Sequence, residues 1–200
     1  MWNVGFYGSG IGKSRFVSAD IDNNGIIEII AGGSTSTFGL NDYWYILEYS
    51  TISKQYDIKW VSQFYPEGIS TIAAFDINNN GIFNIFIGLS NGAIYVYEGP
   101  ALGEIKRIQS PGGAIKRILF ADADNDSIEE IVFCNPDNTF IYNAISLSLE
   151  EMIPHGSSDF DIGNVDSDDL NEIVLANGLV MELMASTQSK NGITVMLSDI

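Results

Sequence analysis

Two hundred residues with 46% hydrophobic and 12% aromatic content suffice for a sizeable packed core and exclude a disordered chain. Twenty-six acidic against nine basic residues give a formal charge of −17, which argues against nucleic acid or anionic membrane as a partner. One cysteine excludes an intrachain disulfide, and no apolar run approaches the roughly 18 residues that span a bilayer.

The opening MWNVGFYGSG has neither a basic n-region nor a long apolar h-region, so no signal peptide is legible. It is similar to Trp60–Gly68, the stretch that leads into the second repeat. Gly8 to Ser14 approximates a phosphate-binding loop, but Tyr7 stands where its first glycine belongs. Strand-like residues follow where that motif needs a helix, so nucleotide binding is not expected.

From Phe16 the chain reads FVSADIDNNGIIEIIAGG, an apolar run, a nine-position acidic loop and a second apolar run. The pattern returns as IAAFDINNNGIFNIFIGL from Ile72, ILFADADNDSIEEIVFCN from Ile118 and FDIGNVDSDDLNEIVLAN from Phe160. The first loop positions, Asp20, Asp76, Asp122 and Asn164, stand 56, 46 and 42 residues apart by difference of their numbers. Such intervals suit one four-stranded propeller blade. A third β-rich stretch follows each of the first three loops at Tyr43–Tyr49, Ala93–Tyr97 and Thr139–Tyr142. A fourth lies at Tyr56–Val61, Glu104–Ile108 and Leu149–Ile153. No segment sustains a 3.6-residue apolar period. The chain therefore reads as an all-β propeller region of four-stranded antiparallel blades, about four repeats over 9–65, 66–111, 112–154 and 155–192. The closing GITVMLSDI is similar to the approaches to the second and third loops, which would make 193–200 the start of a further repeat of a larger propeller, with Asp199 heading its loop. The alternative makes this segment the outer strand of the fourth repeat, after an Asn191–Gly192 turn.

The acidic loops carry the chemistry. In the first, Asp20, Asp22 and Asn24 offer side-chain oxygens at alternate positions, Ile26 a carbonyl and Glu28 a returning carboxylate. Calcium takes 6–8 oxygens in flexible geometry, magnesium demands a stricter octahedron, and zinc and copper prefer ligands absent here. Gly25 permits the positive φ of a sharp reversal, and Ile21, Ile26 and Ile27 are free to turn into the core. An EF-hand would need a glutamate at position 12 and flanking helices, and this loop has neither.

The repeat resembles the FG-GAP or VCBS repeat of integrin α-subunit propellers, most closely at GNVDSDDLNEIVLAN from Gly163. That resemblance implies metal-ligand roles at positions 1, 3, 5, 7 and 9 of each loop. The remaining sets are Asp76, Asn78, Asn80, Ile82 and Asn84; Asp122, Asp124, Asp126, Ile128 and Glu130; and Asn164, Asp166, Asp168, Leu170 and Glu172. Up to four Ca2+ ions are expected, the third loop strongest with four carboxylates and the second weakest with one. Ser127 and Asp169 replace the position-6 glycine, and the third loop is the less secure because Asp tolerates the left-handed region better than Ser. Without metal, such loops would be ordinary Asp/Asn/Gly turns.

Other candidates yield less. Cys134 lies in an apolar run and reads as a buried thiol, and His155 reads as a solvated turn residue without a catalytic partner. Asn125-Asp126-Ser127 matches a glycosylation sequon inside the third loop. Tyr43, Trp44, Tyr45 and Tyr49 are expected to pack between blades, and Lys106, Arg107, Lys116 and Arg117 to form a solvated face or pair with acids. The resemblance implies a non-enzymatic recognition or adhesion module, binding protein or carbohydrate at a cell surface or outside the cell, with no nucleic acid and no membrane insertion. An enzyme acting on polysaccharide and a purely structural segment are the alternatives, and further blades from the same or another chain would be partners too.

Overall fold

The computed structural model describes residues 16–33, 43–185 and 193–199, so the opening segment, with its P-loop-like stretch, lies outside the described residues. Among them every regular element is a strand. The first meander comprises β1 (Phe16–Ala19), β2 (Glu28–Gly33), β3 (Tyr43–Ser50) and β4 (Gln55–Val61). The second comprises β5 (Ile69–Phe75), β6 (Asn84–Leu89), β7 (Ala93–Glu98) and β8 (Gly103–Gln109). The third comprises β9 (Arg117–Ala121), β10 (Glu130–Cys134), β11 (Thr139–Asn143) and β12 (Leu149–Ile153). The fourth comprises β13 (Phe160–Gly163), β14 (Glu172–Leu175), β15 (Leu179–Ala185) and β16 (Ile193–Asp199). Each forms one four-stranded antiparallel sheet in sequence order. Four such blades make this a β-propeller fold.

The last blade corrects one expectation. β16 pairs with β15 along its whole length, from Leu179–Asp199 to Ala185–Ile193, so this segment completes the fourth blade instead of opening a fifth. The hydrogen-bonding edge of β15 decides the matter. A strand left unpaired there would expose a row of backbone donors and acceptors.

The chain divides into two compact units, 1–115 and 116–200. In the first, β1 and β2 lie against β5, and Ile30, Trp44, Ile46, Ile69, Ile85, Ile87 and Leu89 form a shared core. Trp44 of β3 meets Tyr97 of β7 at 5.4 Å between ring centroids and Trp60 at 4.4 Å. Each fully buried side chain of this kind contributes roughly 1.5–3 kcal/mol relative to exposure. In the second unit β13 lies against β9, with Val132, Cys134, Ile141, Phe160, Ile173, Met181 and Leu183 in the core. β6 and β10 are buried on both faces, as their continuous apolar runs require, whereas β4 and β8 are largely exposed.

The side expectations fall out from this packing. The Cys134 thiol is buried, donates to the Ser157 carbonyl and is pushed up to about 11 by burial. His155 is exposed in a turn. Tyr49 departs from the inter-blade role: it is 40% exposed and sits edge-on to Tyr56 of its own sheet. Arg107 lies over the Tyr95 ring and pairs with Glu104, and Arg117 pairs with Asp159 and donates to the Phe160 carbonyl.

Candidate metal centre

All four acidic loops bridge the first two strands of their blades, so the hairpin itself brings position 1 back to position 9. In the first three, the position-1 carboxylate gathers two successive N–H groups. Asp20 accepts from Asn24 at 3.0 Å and Gly25 at 2.7 Å. Asp76 accepts from Asn80 at 3.1 Å and Gly81 at 2.6 Å, and Asp122 from Asp126 and Ser127 at 3.0 Å each. The position-5 side chain then accepts from position 7, at 2.7 Å from Ile26 to Asn24, 2.7 Å from Ile82 to Asn80 and 2.8 Å from Ile128 to Asp126.

Two left-handed residues make the reversal. Gly25 and Gly81 at position 6 have φ near +84° and +83°, and Asn23, Asn79 and Asn125 at position 4 have φ of 56°, 54° and 60°. Ser127 adopts φ 72°, so the third loop keeps the shared geometry despite lacking glycine. Asp169 has no positive φ, and the fourth loop departs instead. There the Asn164 amide donates to the Asp168 carbonyl, and Asp166 and Asp168 accept from positions 5 and 7 at 2.8 Å each. The expected order of regularity between these two loops is reversed. Asn164 can donate where an aspartate would only accept, so the head of this loop bonds the Asp168 carbonyl.

Position 9 closes every loop. Its side chain accepts the position-2 N–H: Ile21 to Glu28 at 3.1 Å, Ile77 to Asn84 at 3.4 Å, Ala123 to Glu130 at 2.8 Å and Val165 to Glu172 at 2.8 Å. One carboxylate oxygen is thereby occupied and the other left over. Oε1 of Glu28, Glu130 and Glu172 is buried without a hydrogen-bond partner, as are Oδ1 of Asp22 and Asp124. These residues converge: Asp20, Asp22 and Glu28 form one set, Asp122, Asp124 and Glu130 a second, and Asp166, Asp168, Glu172 and Glu182 a third, each with one oxygen per residue within 4.8 Å of all the others. Asp126 is not in the second set, and its Oδ1 accepts from Ile128. The second loop has the single carboxylate Asp76 among amides.

Buried, unpartnered carboxylate oxygens facing one another are costly unless neutralised. Burial pushes Glu130 up to about 8 and Asp124 to about 6, with neighbouring acids adding to both. Glu28 is also raised, first by burial, while the Ile21 N–H and Lys59 oppose the shift. This donor set, oxygen-only and with three or four carboxylates per cluster, fits a calcium ion.

Other strands add groups that the loop pattern does not show. Glu182 of β15 stands opposite Glu172, Glu98 opposite Asn84 and Asn143 opposite Glu130. Glu48 occupies the same place beside Glu28, one step beyond the Ile29–Leu47 pair. In the second and third blades this acid or amide is the last residue of the third strand, whereas Glu48 and Glu182 lie within theirs. The apolar loop residues also need correction. Ile21 is buried, but Ile26 and Ile27 are 41% and 54% exposed because the reversal at Gly25 turns them to solvent. Asn125 of the sequon is engaged on both side-chain atoms, accepting from the Asn171 N–H and donating to the Asn171 and Leu183 carbonyls.

No protein-family model matches the chain, and no curated protein matches it in sequence. Solved structures do match in fold. BBS1N, crystallised in complex with ARL6DN and soaked with lead, superposes with a TM-score of 0.66 at 8% identity, covering 99% of this chain and 59% of that one. The same complex soaked with mercury gives 0.63 at 9% identity, covering 99% and 60%. Sqt1 of Saccharomyces cerevisiae gives 0.53 at 13% identity, covering 89% and 41%. This chain thus spans about three-fifths of the BBS1N chains and two-fifths of Sqt1. At these identities the likeness establishes the propeller fold.

Proposed function

We propose that this chain is a calcium-ordered β-propeller module that recognises a protein partner. The observation that carries the calcium half is the set of buried, unpartnered oxygens on Asp124, Glu130 and Glu172, each inside a cluster of three or four carboxylates. Bound calcium would supply the missing positive charge and coordinate those oxygens. The chain's own contribution is a hairpin already held in shape by Asp20, Asp76 and Asp122, which limits the ordering that binding requires. The resemblance of these repeats to FG-GAP and VCBS units belongs to the same proposal. So does an extracellular setting, where calcium is abundant enough for modest sites.

Support for a protein partner comes from the apolar side chains the loops display. Ile26, Ile27, Ile128 and Val165 are 40–56% exposed beside the carboxylates. Exposed apolar residues fixed on rigid hairpins suit a protein surface better than a sugar. BBS1N, similar in fold, was crystallised with a protein, which favours this reading by analogy of fold alone.

The test is a thermal melt in EDTA against 1 mM calcium, with magnesium as control. For a site near 10 μM, saturation adds about 2.7 kcal/mol, or about 5–10 °C for a chain of this size. An equal rise with magnesium would refute calcium specificity, and no rise with calcium would refute the metal reading. Affinity capture with and without calcium tests the partner: retention should need calcium and be lost in Ile27→Asp and Val165→Asp. Glycan-array binding with no protein retained would move the reading to carbohydrate.

A further inference from the structure

The outer strands of three blades carry a bulge at the same place. Pairing slips between Ile46 and Leu47 in the first blade, between Val96 and Tyr97 in the second and between Ile141 and Tyr142 in the third. The unpaired residue on the fourth strand is Lys59, Ile105 and Glu150 respectively. One structural position therefore holds a cation, an apolar residue and an anion in successive blades. A bulge leaves an extra residue out of the ladder and re-aims its side chain. In the first blade the aim is toward the loop.

In the first blade, Lys59 Nζ lies 3.1 Å from Asp22 Oδ2 and 3.6 Å from Glu28 Oε1 and also contacts Glu48 Oε2. Asp22 and Glu28 are two of the three carboxylates in that loop's cluster. In the third blade, Glu150 lies close enough to Asp124, Asp126 and Glu130 to interact with all of them, and its Oε2 is buried and unpartnered. The same bulge thus subtracts negative charge from one loop and adds it to the other.

We propose that Lys59 is a tethered cation that stands in for calcium in the first loop, so that this loop is ordered without metal while the third, completed by Glu150, and the fourth take the ions. The inference rests on the calcium reading above and deepens it by assigning occupancy blade by blade. It also revises an expectation from loop composition alone, under which the first and fourth loops, with three carboxylates each, would be equals. An ammonium held by its own backbone has no translational entropy to lose, so it competes at high effective concentration. Its nitrogen cannot approach as closely as calcium does, at 2.3–2.6 Å, so it holds the carboxylates without drawing them into a full coordination shell.

Calorimetric calcium titration of the whole chain counts the ions. Lys59→Met should bind one more ion than the wild type, and Glu150→Lys one fewer. The double change Asp20→Asn/Glu28→Gln in the wild-type background should leave the count unchanged, because the first loop holds no ion to lose. If Lys59→Met fails to fold, the other two variants still decide. An unaltered count in folded Lys59→Met, or a lower count in Asp20→Asn/Glu28→Gln, overturns this inference while leaving the calcium reading intact. Absence of calcium from every form overturns both.

Discussion

Asp76 in the second loop and Asp122 in the third hold the same two backbone N–H groups at nearly the same distances, and both loops place an asparagine in the left-handed region at position 4. They differ at position 9. Asn84 accepts from Ile77 and has an amide group left over, whereas Glu130 accepts from Ala123 and has a bare oxygen left over, buried and unpartnered. The hairpin geometry therefore needs no metal. On the calcium reading proposed above, what would set a metal-binding loop apart is the leftover oxygen, which the second loop lacks and the third leaves buried and unpartnered.

The strongest way to break that comparison is to exchange the two residues. Glu130→Gln should stabilise the chain in EDTA, since a buried unpaired carboxylate disappears, and destabilise it in calcium by removing a ligand. The swing between the two conditions should be about 3–5 kcal/mol, read as opposite shifts in melting temperature. Asn84→Asp at the equivalent buried position should cost about 1–3 kcal/mol in EDTA. If both variants move stability the same way in both solutions, position 9 is not what separates the loops.

A pH series sharpens the same contrast. Folding raises Glu130 from 4.5 to about 8 and Asp124 from 3.8 to about 6, by burial first. The folded metal-free chain therefore binds more protons than the unfolded one between those values. By linkage its stability is fullest near the unfolded pKa values and falls as pH rises through 6 and 8, on the order of a few kcal/mol in total. In EDTA the melting temperature should decline from pH 5 to pH 9. Millimolar calcium, by binding the ionised carboxylates, should flatten that decline, and Glu130→Gln should remove most of it.

Much of this was legible in the chain. A repeated apolar–acidic–apolar phrase fixes both strands of a hairpin, because its runs are too short for helices and its turn residues recur in step. The strands at Tyr43, Ala93, Thr139 and Leu149 begin where their composition places them. What stayed hidden depends on register. Glu182 joins the fourth cluster only because β15 pairs it with Glu172, and Lys59 and Glu150 reach their loops only through bulges. Neither a pairing offset nor a bulge is written in local composition. The fate of the closing segment was likewise a choice of partner edge, which similarity to other repeat openings could not make.

The third loop differs from the first two also in how it meets its neighbour. Asn125 accepts from the Asn171 N–H at 2.8 Å and donates to the Leu183 carbonyl at 2.9 Å, while the Asn171 amide donates to the Asp122 carbonyl at 2.9 Å. Asn125→Gly keeps the positive φ and deletes only these bonds, so it should cost about 1–2 kcal/mol. It should also weaken calcium binding at the fourth loop, whose position 8 is Asn171. An unchanged melting temperature would show that the latch contributes nothing.

The smallest effect separates the third loop from the first by backbone alone. Ser127 holds φ 72° where Gly25 holds 84° and Gly81 holds 83°. A serine there bears the steric cost of the left-handed region, about 1–2 kcal/mol, which glycine escapes. Glycine in turn loses more backbone freedom on folding, roughly 0.5–1 kcal/mol, so the two effects oppose. Ser127→Gly should therefore stabilise the chain by only about 0.5 kcal/mol. Because the Ser127 N–H to Asp122 is retained by glycine, the gain should be the same in EDTA and in calcium. A gain seen only with calcium would mean instead that the serine side chain obstructs the ion, and that the third loop's left-handed turn is a point of metal control.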